Sequence, residues 1–242
     1  MKNNLKEETV LTAISYFRQV PIAWQNDVQN QLNEMLQHGI IRGLKEESSK
    51  WCHPMVIVPK NKGGVRICVD LTGLNRYVKR LVYPTQTPKE AISKINSSAR
   101  FFTTMDAKHG YWQISLEEES QKLTTFITPW GRYCFLRAPM GLSSTGDEYC
   151  RRGDIAISGL NNIQKVIDDS ILYDENFEDH VSNVRAFLTE CRENHITLNK
   201  EKFKFAEEEV DFVGYKITKN GVSADPSKVE AISNFPPPTN IT

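Results

Sequence analysis

Residues 165–173 read KVIDDSILY, a β-branched apolar run interrupted by two adjacent carboxylates, Asp168 and Asp169. Short apolar runs on either side of turn formers predict a β-hairpin with the acids at its tip. Aspartate is a good turn residue, which explains why the backbone tolerates the pair. Two like charges side by side at the tip of a buried hairpin also suit a doubly positive ligand. Hard ions such as Mg²⁺ and Mn²⁺ take oxygen ligands. Successive strand side chains point to opposite faces, so the two acids cannot project alike unless the turn re-aims one. A third acid is required, and Asp106, ending the strand-like run ARFFTTMDA, is the candidate. Without a cation, three clustered carboxylates raise one another's pKa values.

The surrounding chain is that of an ordinary globular protein. It has 242 residues, 39% hydrophobic and 25% charged, with zero net charge. Five scattered cysteines without a CxxC pair argue for free thiols and against a zinc module. No apolar run approaches the roughly 20 residues that span a bilayer, and MKNNLKEETV has no signal core. These absences predict a cytoplasmic protein without a membrane partner. Charge is unevenly spread. Lys60, Lys62, Arg66, Arg76, Lys79 and Arg80 form a basic strip, and residues 174–209 are rich in acids. A basic strip beside an acidic region suits a polyanion held near a metal site.

Local signals outline the elements. Val28, Leu32, Met35 and Leu36 recur at helical spacing before Gly39, which predicts a helix over 25–37. Residues 51–71 predict a hairpin with a basic tip at NKGG. Thr87-Pro88-Lys89-Glu90 is a helix start with its capping box. Residues 124–139 read as two strands about Pro-Trp-Gly, and residues 141–157 settle into a helix. A helix over 178–191 is expected to turn Val181, Val184, Phe187 and Leu188 inward. KFKFA, VDFVGYKIT and the Asn220-Gly221 turn predict further strands, and Asp225-Pro226 opens a last helix before Pro236-Pro237-Pro238. Strands and helices interleave without a regular βαβ repeat, so the fold class is α+β with a mostly antiparallel sheet.

FFTTMDAKHGYWQISL, APMGLSSTGDEY, KVIDDSIL and FVGYKIT resemble, in that order, four successive motifs of reverse transcriptases, most like those of gypsy-type LTR retrotransposon Pol polyproteins. HPMVIVPKNKGGVRICVDLTGLN resembles the fingers of that family. The resemblance covers about residues 20 to 235. It implies a right-hand polymerase, with a palm of antiparallel strands backed by helices and a fingers subdomain.

What the resemblance implies for single residues is specific. Asp106, Asp168 and Asp169 match the catalytic aspartates that hold two Mg²⁺ ions, with Mn²⁺ as a substitute, and the Ala107 carbonyl completes a metal shell. Lys60 and Arg66 match residues gripping the triphosphate. Tyr111 matches the steric gate against a 2′-hydroxyl, and Gly141 a close backbone approach to the nucleotide. Val213, Gly214 and Tyr215 match the primer grip. Some positions depart from the family: Val166 replaces an aromatic, Thr72 an Arg, Met140 a Phe or Gln, and Gly146-Asp147 a Pro-Ala.

The implied organisation is a loose N-terminal segment (1–20), fingers (21–88 and 117–138), palm with primer grip (89–116 and 139–222) and the start of a thumb (223–242). The ending reads as a truncation, with thumb, connection and RNase H lost or supplied by another chain. The implied function is RNA-directed DNA polymerase, weak for want of those parts. It acts on a primed RNA or DNA template with deoxynucleoside triphosphates, in the cytoplasm or in virus-like particles. Two alternatives stand beside it: an inactive retroelement remnant that binds nucleic acid or a partner, and a two-metal phosphohydrolase on another fold.

Overall fold

The computed structural model describes residues 1–60, 63–225, 229–230 and 233–235. Lys62 at the basic hairpin tip, Pro226 at the start of the expected last helix and Pro236-Pro237-Pro238 at its end lie outside the described residues.

In chain order, the first elements are α1 (Gln25–Gln37), β1 (Ile41–Gly43), β2 (His53–Pro59), β3 (Val65–Val69) and α2 (Thr72–Asn75). Then follow α3 (Pro88–Ser93), β4 (Phe101–Asp106), α4 (Glu118–Leu123), β5 (Phe126–Thr128), β6 (Gly131–Phe135) and α5 (Ser143–Ala156). The remainder holds β7 (Ile163–Val166), β8 (Asp169–Asp174), α6 (Phe177–Glu193), β9 (Lys204–Glu207), β10 (Glu209–Phe212), β11 (Tyr215–Thr218) and β12 (Gly221–Ala224). The chain divides into two compact units: Met1–Pro84 with His109–Arg151, and Thr85–Lys108 with Arg152–Thr242.

In the first unit a five-stranded sheet runs β1-β6-β5-β2-β3. The pairings are antiparallel except β2 with β5. Val65, Ile67 and Val69 are buried while Arg66 between them is exposed, the period of a strand with one covered face. Helix α1 buries Val28, Leu32 and Met35 in the same core. It stops where Gly39 takes φ 62°, with Gly39 N–H donating to Leu36 O and Ile40 N–H to Met35 O. That pair of bonds is a Schellman motif, which needs a residue free to enter the left-handed region. Residues 1–20, without sequence periodicity, carry two isolated bridges, Leu5 to Val78 and Ala13 to Cys52.

In the second unit a four-stranded antiparallel sheet runs β7-β8-β4-β9, and a separate three-stranded one runs β10-β11-β12. Both faces of the first sheet are covered. Phe102, Ile171 and Tyr173 join one core with Val210 and Phe212, whereas Met105 and Leu172 join another with Val184, Phe187 and Cys191 of α6. Burial on both faces explains why Ile171-Leu172-Tyr173 is a continuous apolar run rather than an alternating one. Helix α3 begins with the expected capping box: Thr87 accepts from Glu90 N–H, and Glu90 accepts from Thr87 N–H at 2.8 Å.

One expectation for α6 is overturned. Leu188 is 40% exposed, and His180 is fully buried instead. The inward stripe is His180, Val184, Phe187 and Cys191, spaced i, i+4, i+7, i+11. A histidine enters it because both ring nitrogens are bonded, Nδ1 to Asp174 Oδ2 at 2.7 Å and Nε2 to Thr103 Oγ1 at 2.6 Å.

Candidate active site

The acids of KVIDDSILY converge with Asp106 by strand register. β4 and β8 are antiparallel, and Asp106 is the direct partner of Asp169. Paired residues share a face, so both acids lie on the side of Phe102, Ile171 and Tyr173. Asp168 precedes β8, in the two-residue turn between Val166 and Asp169. Its carbonyl accepts from Ala107 N–H at 3.3 Å, tying the turn to the end of β4. Ile167, the other turn residue, has φ 56°. A β-branched residue in the left-handed region is a backbone outlier, held there by the structure around it.

A cation already touches this group. Lys202 Nζ lies 2.6 Å from Asp106 Oδ2. Residues 197–199 deliver it along the end of β4: Lys108 N–H donates to Thr197 O, Asn199 N–H donates to Asp106 O, and Ala107 bridges Leu198. Asn199 then caps the short 3-10 turn Lys200–Lys202. Burial first, and the neighbouring Asp106 charge second, push the Asp169 carboxyl above its ordinary value, while Lys202 opposes them. Lys202 is itself held above the usual lysine value, by its bond to Asp106 first.

These residues fit a hard divalent ion. The donors are carboxylate and carbonyl oxygens, the chemistry Mg²⁺ and Mn²⁺ take, and an ammonium stands where positive charge is wanted. Among the described residues no group of three or more acidic, histidine or cysteine side chains is gathered so as to hold a metal ion by itself. Mg²⁺ ordinarily completes its shell with substrate phosphates and water.

Of the other expected site residues in the second unit, Val213 (φ 44°) and Gly214 (φ 88°) form the turn between β10 and β11. Positive φ at both central positions is the twist that suits a tight hairpin. Tyr215 follows, paired with Phe212.

The first unit carries the remaining candidates. Lys60 and Arg66 are exposed cations on the β2–β3 hairpin, where Arg66 pairs with Val58 and Lys60 N–H donates to Gly64 O. Gly141 has φ 88°, and its carbonyl accepts from Asn75 Nδ2 at 2.7 Å. Asn75 Oδ1 accepts from Ser143 N–H at 2.9 Å, so one amide clamps the loop that opens α5. Tyr111 meets the edge of the Tyr149 ring at 5.3 Å, and a Cβ on Gly110 would come within 2.7 Å of that Tyr149 ring. Asp147, a departure from the family pattern, accepts from Arg80 Nε and Nη2, one on each carboxylate oxygen, and also from Tyr83 N–H at 3.2 Å.

Sequence reading missed three of these participants. Lys202 lies in the lysine-rich run KEKFKF, Asn75 in the GLN of the fingers stretch, and Arg80 in the basic strip. Each acts on a residue 66 to 96 positions away, so no local pattern marks it.

A family model for the reverse transcriptase (RNA-dependent DNA polymerase) matches residues 58–217. The chain is 34% identical over 225 residues to the retrovirus-related Pol polyprotein from transposon opus of Drosophila melanogaster. It is 32% identical over 220 residues to that from transposon gypsy of the same organism. These matches cover 91% and 87% of this chain but only 22% and 21% of the relatives' length. Among solved structures, a foamy viral protease-reverse transcriptase in complex with RNA/DNA hybrid matches with TM-score 0.87 and 18% identity, over 98% of this chain and 32% of that one. The same kind of enzyme in complex with dsDNA matches with TM-score 0.89 and 19% identity, over 98% and 49%. At that identity the likeness is one of fold, and it bears out the α+β fingers-and-palm class. The chain is a member of the reverse transcriptase family, related to the Pol polyproteins of gypsy-type LTR retrotransposons.

Proposed function

We propose that this chain is the fingers-and-palm part of an RNA-directed DNA polymerase. The reaction is attack of a primer 3′-hydroxyl on the α-phosphate of a deoxynucleoside triphosphate, releasing pyrophosphate. What carries the reading is the pairing of Asp106 with Asp169 across β4 and β8, with Asp168 in the adjoining turn.

Asp106, Asp168, Asp169 and the Ala107 carbonyl would hold two divalent ions, which when bound activate the attacking hydroxyl and neutralise charge on the leaving oxygen. Lys60 and Arg66 bind the triphosphate, the Arg as a fork and the Lys as a point charge. Tyr111 takes the part of the steric gate that excludes a 2′-hydroxyl. Gly141 lets backbone approach the nucleotide, and Val213, Gly214 and Tyr215 hold the primer end in line. Positioning and fixed charge supply most of the rate, because phosphoryl transfer asks for little other chemistry from a protein. The RNA/DNA hybrid and dsDNA with which the fold relatives are in complex support a primed duplex as the ligand. Affinity for such a duplex is built from many phosphate contacts, and a chain spanning 22% of its opus relative's length supplies few of them, so by itself it extends a primer weakly and distributively.

The test is primer extension on an RNA template in Mg²⁺ and then Mn²⁺, beside Asp168→Asn. Growth of the primer with the parent and none with the variant is expected. No growth with a folded parent in either metal overturns the enzymatic reading and leaves an inactive remnant.

A further inference from the structure

We infer that the Lys202 ammonium is a resident cation of the carboxylate site, seated on Asp106 until a divalent ion displaces it. The inference rests on reading Asp106, Asp168 and Asp169 as a metal site. Lys202 and Asp106 are 96 positions apart and meet at 2.6 Å. The segment bringing them together is fastened by backbone bonds from Lys108 to Thr197 and from Asn199 to Asp106. None of those bonds uses the lysine side chain, so the turn stays in place when the ammonium leaves.

The pairing is built to be reversible. The Lys202 side chain is 60% exposed and that of Asp106 is 17% exposed. An ion pair with one partner in water is weak, and releasing the lysine to solvent costs little. Leaving the acids without any cation costs more, because Asp106 and Asp169 are direct partners across β4 and β8 and like charges so placed repel. The ammonium sits on Asp106, whose direct strand partner is Asp169 and whose neighbour Ala107 is bonded to Asp168. It therefore holds the acids together before metal arrives.

Charge selection follows. A potassium or sodium ion replacing the ammonium adds no charge, so the exchange gains nothing. A divalent ion adds one positive charge to the acids and frees Lys202, which makes the site selective for divalent ions before any nucleotide is present.

The experiment is Mn²⁺ titration followed by loss of the free-ion electron paramagnetic resonance signal, without nucleotide or primer. The proteins are the parent, Lys202→Met, Lys202→Arg, Lys200→Met and Asp169→Asn, each checked for an unchanged urea midpoint where the lysine alone is altered. Removing a competing surface pair should tighten Mn²⁺ roughly fivefold in Lys202→Met, with Lys202→Arg near the parent and Lys200→Met within about twofold. Equal or weaker binding by Lys202→Met, with the parent binding Mn²⁺ and Asp169→Asn losing it, overturns this inference alone. A parent that binds no Mn²⁺ sensitive to Asp169→Asn overturns the metal-site reading and this inference with it.

Discussion

Asp174 and His180 meet at 2.7 Å with both side chains almost wholly withdrawn from solvent. Asn162 and Asn183 donate to the other carboxylate oxygen at 2.7 and 2.6 Å, and Thr103 closes the network on the far ring nitrogen. Ala206 N–H donates to that same Thr103 hydroxyl, so β4, β8, β9 and α6 share one set of bonds. Thr103, His180 and Asp174 have the order of a hydrolytic triad, but a hydroxyl with no exposure meets no substrate. The network is structural. Truncating His180 to Ala leaves Asp174 Oδ2 and the Thr103 hydroxyl, both buried, without their shared partner and is expected to cost about 1–3 kcal/mol for each group left unsatisfied. Urea unfolding measures it, and an unchanged midpoint would show that the network is dispensable.

Arg80 and Asp147 give a pH-dependent prediction. The Arg80 guanidinium holds the Asp147 carboxyl below its ordinary value of 3.8, with the Tyr83 N–H adding to the effect against burial. A depressed carboxylate stabilises the fold above its ordinary value and loses that contribution as pH falls through the folded value. Arg80 is half exposed, so solvent screens the pair. Arg80→Ala should cost about 1 kcal/mol near neutrality. The gap from the parent should close as pH falls from about 5 to about 3. A gap that stays constant in urea titrations across that range would exclude the pair as its source.

Gly110 is expected to control Tyr111 at one remove. A Cβ at 110 would press on the Tyr149 ring at 2.7 Å, and Tyr149 buttresses Tyr111. Overpacking of this kind costs about 1–3 kcal/mol. If Tyr111 acts as the steric gate, Gly110→Ala also raises ribonucleotide incorporation relative to deoxynucleotide. Single-nucleotide addition with both sugars reads this out, and an unchanged ratio in a folded variant would disconnect Tyr149 from the gate.

Asp169→Asn separates stability from activity. Asp169 is partly buried and faces Asp106, so its charge opposes folding in the metal-free protein. The neutral isostere should raise stability by about 1 kcal/mol, or ~2–4 °C in Tm, without divalent ions. Primer extension should vanish in the same protein. A lower Tm without metal would mean that Asp169 is satisfied by bonds rather than strained by charge.

These predictions rest unequally on what the sequence makes legible. Helix α1, the β2–β3 hairpin, the capping box at Thr87 and the strand ending in Asp106 carry short-range signals, and each forms as read. Asp168 and Asp169 stand out because adjacent carboxylates between apolar runs are unusual, and Asp106 because it ends a strand-like run. What sequence hides is pairing over long separations. His180 takes its inward place through Asp174 and Thr103, and Leu188 reads as core until that stripe turns it outward. Asp147 is visible as a departure, but its partner Arg80 is 67 positions earlier. Strand β1, three residues long, has too few side chains to show a period.

The pairing of Asp106 with Asp169 makes their separation a property of the peptide ladder rather than of either side chain. Such a gauge is quantised: strands slip only by whole residues, about 3.3 Å at a time, and a single step carries the acid to the other face. Drift in the surrounding core can tilt or loosen these carboxylates, but it has no small increment by which to respace them. A lineage that keeps this register keeps the interval, whatever else it rewrites. One that loses it loses the interval in a single step.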